Sequence, residues 1–157
     1  MKMERAELYL KTIFCCMACD GEIAKEEVEM IESLSSKYDM FSNVGIESYL
    51  NKWIALINEN GVSFLKGYLN ELSEADLSLS EQIRVIGFAI MTIEADKCIE
   101  YSEIKFFKKI RNRLSVSDEE ILEQYPNKED YLLPDINVVE EPVWNNNIQF
   151  AEISLNL

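Results

Sequence analysis

The chain has 157 residues, 48% of them hydrophobic, with a net charge of −14 and no histidine. That length and apolar content suit one domain with a self-sufficient core. The charge excludes nucleic acid as a direct partner, because so acidic a surface repels phosphates, and it favours basic proteins or hard divalent cations.

No basic stretch with an apolar core and a small-residue cleavage site opens the chain, and no apolar run reaches the ~18 residues of a membrane span. A soluble, cytoplasmic protein with no transmembrane segment is expected. Its four cysteines, Cys15, Cys16, Cys19 and Cys98, are then reduced by default.

Met3 to Cys19 reads as the first helix. Leu8, Leu10, Ile13, Phe14, Met17 and Ala18 point in most directions, with only Lys11 and Thr12 polar between them. A helix apolar nearly all round is buried on most sides. Asp20-Gly21 ends it. A second helix, Lys25 to Tyr38, puts Val28, Ile31, Leu34 and Tyr38 on its apolar face and Glu26, Glu27, Glu29, Glu32 and Lys37 on the other.

After a loop at 39–45, Ile46 to Asn58 and Val62 to Leu72 give a third and a fourth amphipathic helix, separated by the turn signal Asn60-Gly61. Ser78-x-x-Glu81 is a capping box that opens a fifth helix, apolar all round like the first. Gly87 in its middle is costly unless another backbone approaches closely, so the first and fifth helices are expected to cross there. Tyr101 to Leu114 is the sixth helix, mirroring the second. A capping box at Ser117-x-x-Glu120 starts a short seventh, which stops before Pro126.

Beyond Pro126 helical periodicity disappears. Val138-Val139 and the alternation Ile148, Phe150 suggest extended structure, with a hairpin turn at Trp144–Ile148. This stretch is acidic, yet it also carries Leu132, Leu133, Trp144, Ile148, Phe150 and Ile153. It is expected to dock on its own helical body or on a partner, with plain disorder as the remaining reading. The organisation is thus an all-α domain at 1–125 and an extended acidic and apolar tail at 126–157.

The chain repeats itself. Asp20, Ile23, Glu27, Met30 and Ile31 match Asp96, Ile99, Glu103, Phe106 and Phe107 at one constant offset. A duplicated helix–acidic turn–helix unit predicts about seven helices in two pseudo-symmetric halves around two buried central helices, followed by a non-helical C-terminal tail.

Ala18-Cys19-Asp20-Gly21-Glu22-Ile23 with Glu26-Glu27 resembles the A-x-D-G-x-I-x-x-E-E pattern of the tellurite-resistance TerB-like family, which includes the N-terminal domain of membrane-anchored DnaJ-like co-chaperones. Ala95-Asp96 with Ile99 and Glu103 looks like a degraded second copy, and Leu114 to Glu120 like the family's closing segment. The resemblance spans roughly residues 1–124. It implies an all-helical fold in two similar halves, an acidic patch where the turns meet with divalent metal there, and a setting in stress response or co-chaperone activity near the membrane. Lys97 departs from the pattern by replacing glycine, and the tail lies outside it.

The residues allow two readings of the acids. Asp20, Gly21, Ile23 and Glu27 coincide with positions 5, 6, 8 and 12 of an EF-hand loop, but Cys16 and Ala18 would hold positions 1 and 3 and supply no hard oxygen. One loop alone is therefore no calcium site. If the two turns approach each other, Asp20, Glu22 and Glu27 join Asp96, Glu100 and Glu103, and a divalent cation would relieve their repulsion; Glu94 stands one helical step behind as a further ligand. The simpler reading is that these acids cap backbone N–H groups and meet helix dipoles.

Cys16-x-x-Cys19 lies at a helix end, where the dipole disfavours a thiolate, so the cysteines read as small apolar fillers. No G-x-S-x-G, P-loop or G-x-G-x-x-G motif occurs, and without histidine the usual general base is missing.

The sequence therefore points to a non-catalytic binding or scaffolding module with protein partners, basic or membrane-associated, whose sole implied cofactor is a divalent cation. The alternative is a Ca²⁺, Mg²⁺ or Mn²⁺ sensor or buffer with the tail as an internal ligand. In a third reading the tail adds a strand to another protein's sheet.

Overall fold

The computed structural model describes residues 5–19, 21, 23–41, 45–95, 101–132 and 150–155. The described part is all-α, with no strand: α1 (Arg5–Ala18), α2 (Lys25–Lys37), a 3-10 turn (Asp39–Phe41), α3 (Ile46–Asn60), α4 (Val62–Glu74), α5 (Leu79–Ile93), α6 (Tyr101–Asn112), α7 (Asp118–Gln124) and a short α8 (Glu129–Leu132). None of these helices is long and apolar enough to cross a membrane. α8 falls in the stretch read from sequence as non-helical. The expected hairpin at Trp144–Ile148 and strand at Val138-Val139 lie outside the described residues.

The core forms around α1, in which every residue from Leu8 to Ala18 is buried. Its main neighbour is α5, with α4 and α6 also against it. α1 and α5 run in the same direction. The Arg5 guanidinium donates to Glu81 at 2.6 Å near their starts, and Tyr9 meets Phe88 one to two turns further along, with ring centroids 5.4 Å apart. Their C-terminal turns therefore leave from the same end of the molecule.

The two polar residues of α1 are both satisfied. Thr12 donates to the Leu8 carbonyl at 2.9 Å and shares a 2.6 Å hydrogen bond with the Tyr68 hydroxyl. The Lys11 ammonium reaches both oxygens of Glu71 at 2.8 and 2.9 Å and stands 5.0 Å from the centre of the Phe64 ring. Such pairing is what lets a helix interior hold polar groups without the cost of an orphaned donor.

Aromatic side chains join the layers. Phe88 lies against Tyr9, Tyr38 and Phe41, with centroids 5.4 to 5.7 Å apart, so one ring ties α5 to α1, to the end of α2 and to the 3-10 turn. Phe14 does the same towards Trp53 of α3 and Phe64 of α4, at 5.8 Å each. A fully buried ring of this size contributes about 1.5–3 kcal/mol.

Both capping boxes form. Ser78 Oγ accepts from the Glu81 N–H at 3.2 Å while Glu81 accepts from the Ser78 N–H at 2.9 Å; Ser117 and Glu120 do the same at 3.1 and 3.2 Å. α3 and α4 form a tight hairpin whose joint, Gly61, has φ of +60°, a conformation that glycine adopts without strain.

Gly87 does not play the expected role. It is half-buried, and the space beside it is taken by Tyr125: a Cβ at Gly87 would stand 2.0 Å from the Tyr125 Oη. The close approach the glycine permits is by a side chain at the end of α7, not by the backbone of α1. The opposite face of α5, with Val85, Ile86, Ala89 and Ile93, is buried, and α5 meets α1 through Phe88 beside Tyr9.

Candidate functional site

The common end of α1 and α5 is where the repeated motif predicts function. Of the six acids assigned to it, Asp20, Glu22, Asp96 and Glu100 lie outside the described residues. The other two, Glu27 and Glu103, are matched partners in the repeat, and each is only 3% exposed. For Glu27 this corrects the helical-wheel assignment to the polar face of α2. Glu27 is the third residue of its helix, and its carboxylate folds back to accept the Ala24 N–H at 2.8 Å, the capping geometry that draws a side chain down against the chain entering the helix. Glu103 holds the same third position in α6. The apolar partners in the repeat agree as well, since Ile31 and Phe107 are both fully buried.

Burial, then the charges of Cys15, Glu103 and Glu27, push the Cys16 thiol well above its usual range. One turn on, the Cys19 Sγ donates to the Cys16 carbonyl at 3.2 Å and lies 4.0 Å from the Ser102 carbonyl, which places the end of α1 beside the start of α6. Cys15 is likewise buried, and burial raises its thiol far above the usual range. Cys15, Cys16 and Cys19 all lie inside the core, and for Cys15 and Cys16 that environment favours the protonated and unreactive form.

Glu94, weighed from sequence as an additional ligand, is otherwise engaged. Its carboxylate is held by the Lys128 ammonium and accepts the Tyr131 hydroxyl at 2.9 Å. Burial, followed by this hydrogen bond and the charges of Glu94 and Glu103, raises the Tyr131 phenol above its usual range. Lys128 and Tyr131 thus fasten the segment after α7 to the end of α5. The ring of Tyr131 also meets Phe107 at 5.4 Å.

Among the described residues no three His, Cys, Asp or Glu side chains are arranged to hold a metal ion. Glu27 and Glu103 offer hard oxygens, the donor type that Mg²⁺ and Ca²⁺ take, and one Glu27 oxygen is already committed to Ala24.

The tail bears on the same end. Residues 150–155 run along α3, and between Phe150–Ser154 and Gly21, Ile23 and Val28 lies a cleft of about 380 Å³. Asn51 and Asn58 of α3, which periodicity counted only as polar, make the hydrogen bonds to this segment. Their seven-residue spacing, which puts two amides on one helix face, was the available signal. A second cleft, also about 380 Å³, is lined by Tyr38, Met40, Arg84, Gly87, Met91 and Tyr125 on the far side of α5. Gln82 was missed too. It is buried, and its Oε1 accepts the N–H groups of Ser115 and Val116, both at 2.9 Å, pinning the loop before α7 to α5.

Comparison with protein-family profiles, with curated proteins and with solved structures gave no match for this chain.

Proposed function

We propose that the chain is a non-catalytic binding or scaffolding module of TerB-like type, working in the cytoplasm in a stress-response or co-chaperone setting, with the acidic end of α1 and α5 as its working face. Its partners are proteins, basic or membrane-associated, and not nucleic acid. The observation that carries this reading is the equivalence of Glu27 and Glu103: matched residues of a repeated motif, each third in its helix and each only 3% exposed. Acidic corners brought to one end concentrate negative potential there, and that potential both steers and selects a basic partner.

The test compares partners cross-linked in the native host by the wild-type chain and by an Asp20→Asn, Asp96→Asn double variant that keeps its helical circular dichroism. Loss of the same partners from the variant is the expected result. An unchanged partner set removes the acidic face from the account.

The second reading is a divalent-cation sensor or buffer, and the burial of both Glu27 and Glu103 favours it, since a cation would offset the cost of buried negative charge. Asp20, Glu22, Glu27, Asp96, Glu100 and Glu103 would hold the ion. Calorimetric titration with Ca²⁺, Mg²⁺ and Mn²⁺ separates the two readings: heat that the double variant abolishes supports the sensor, and no heat with any of the three rejects it.

A further inference from the structure

The tail is held in a way that does not depend on what the tail is. The Asn51 amide donates to the Ile153 carbonyl at 3.1 Å and its oxygen accepts the Ile153 N–H at 2.9 Å. Two helical turns away, Asn58 grips Phe150 identically, donating to its carbonyl at 3.0 Å and accepting its N–H at 2.7 Å. Glu47 takes the Leu155 N–H at a longer 3.4 Å.

The geometry explains the match. Seven helical residues rise about 10.5 Å, and three extended residues span about 10 Å, so Asn58 and Asn51 are in register with residues 150 and 153 of an extended segment running antiparallel to α3. The step from Asn51 to Glu47 is about 6 Å, close to the two residues from 153 to 155. Each of these bonds joins an α3 side chain to tail backbone. Side-chain selectivity is confined to Ile153, which is buried, and to Phe150 and Leu155, which are half-buried; Ala151, Glu152 and Ser154 are exposed. Among the described residues the fit is also incomplete, since a cleft of about 380 Å³ lies between residues 150–154 and Gly21, Ile23 and Val28 beside the bound tail.

We infer that α3 is a receptor for an extended protein segment, occupied in cis by the chain's own tail, and that its intended occupant is a partner segment with apolar residues at i, i+3 and i+5, free N–H groups at i and i+3, and a side chain larger than alanine at i+1 to enter the open cleft. The tail then serves as a tethered competitor that sets the threshold for the partner. This inference uses α3 and not the acidic corners, so its failure leaves the proposal for those corners standing.

The test uses a fluorescent peptide of residues 148–157 added to the full chain. In an Ile153→Asp chain, whose own tail is released, the peptide should bind at least about tenfold more tightly than in wild type, where a tether presents the tail at an effective concentration of about 1 mM. Adding Asn51→Ala and Asn58→Ala should weaken binding at least about tenfold, and so should N-methylation of the peptide at residues 150 and 153, which removes both N–H donors without touching the protein. A peptide carrying Ala151→Leu should bind more tightly than the native sequence.

If Ile153→Asp lowers helicity, the same competition is read on an otherwise wild-type chain with a fluorophore at Glu152→Cys. No saturable binding to the released chain at about 1 mM peptide, or equal binding of the N-methylated peptide, overturns the receptor. No gain from leucine at 151 overturns the foreign occupant. A wild-type dimer that the peptide dissolves overturns it also, in favour of a second copy's tail.

Discussion

Two hydroxyls near the middle of α1 make a sharp test of how the core is satisfied. Thr12 gives its only hydroxyl proton to Leu8, so the 2.6 Å contact with Tyr68 has the phenol as donor. Tyr68 is fully buried, and burial raises its phenol well above the usual range. Thr12→Val therefore strands a buried O–H, at a cost of about 1–3 kcal/mol in urea unfolding. Tyr68→Phe should cost less, and adding Thr12→Val to Tyr68→Phe should cost almost nothing more. Equal penalties for the two single changes would mean the donor is assigned the wrong way round.

Gly87 offers a second residue-level test, one of sign. Gly87→Ala in the wild-type chain drives a methyl group into Tyr125 and should destabilise by about 1–3 kcal/mol. In a Tyr125→Ala background the same change meets open space and should stabilise by about 0.5–1 kcal/mol, the ordinary gain of alanine over glycine within a helix. The same sign in both backgrounds would rule out Tyr125 as the reason for the glycine.

At the scale of elements, much was legible. Hydrophobic period placed the seven main helices, and the capping boxes at Ser78 and Ser117 fixed two of their starts, because both signals are local. What escaped was the identity of partners. Periodicity reports that a residue faces inward, not what it meets, so Gly87 was matched to α1 when it faces Tyr125. Glu27 was counted as polar surface because hydropathy ignores a carboxylate that folds back to cap its own helix. Asn51, Asn58 and Gln82 carry no apolar signal, yet each fixes a separate segment by gripping its backbone. A ranking follows. Ser117→Ala removes one half-buried cap and should cost about 1 kcal/mol. Gln82→Ala strands the Ser115 and Val116 N–H groups and should cost about 1–3 kcal/mol, the larger loss of the two by urea unfolding.

For the whole molecule, two buried thiols and a buried phenol set a pH limit on the alkaline side. Burial raises Cys15, Cys16 and Tyr68 in the folded state, so above the ordinary thiol value the unfolded chain loses protons that the native chain keeps. Their contribution is fully present below about pH 8.5 and is lost as pH rises, by up to about 1.4 kcal/mol per pH unit for each group. Melting temperature should therefore fall steadily from pH 9 upward, and should fall less steeply in Cys15→Ala, Cys16→Ala protein. A flat profile across that range would contradict the burial of these groups.

The proposed working face requires the acidic corners after α1 and α5 to stand side by side. The parallel course of α1 and α5 and the Cys19–Ser102 approach put the ends of α1 and α5 and the start of α6 at one end of the molecule. The direct measurement is the distance between spin labels at Asp20→Cys and Asp96→Cys in a Cys98→Ser chain; Cys15, Cys16 and Cys19 are buried and escape labelling. In a globule of this length, roughly 40 Å across, the labels should lie within roughly 20 Å of each other. A separation of roughly 30 Å or more would put the corners at opposite ends and dissolve the acidic face.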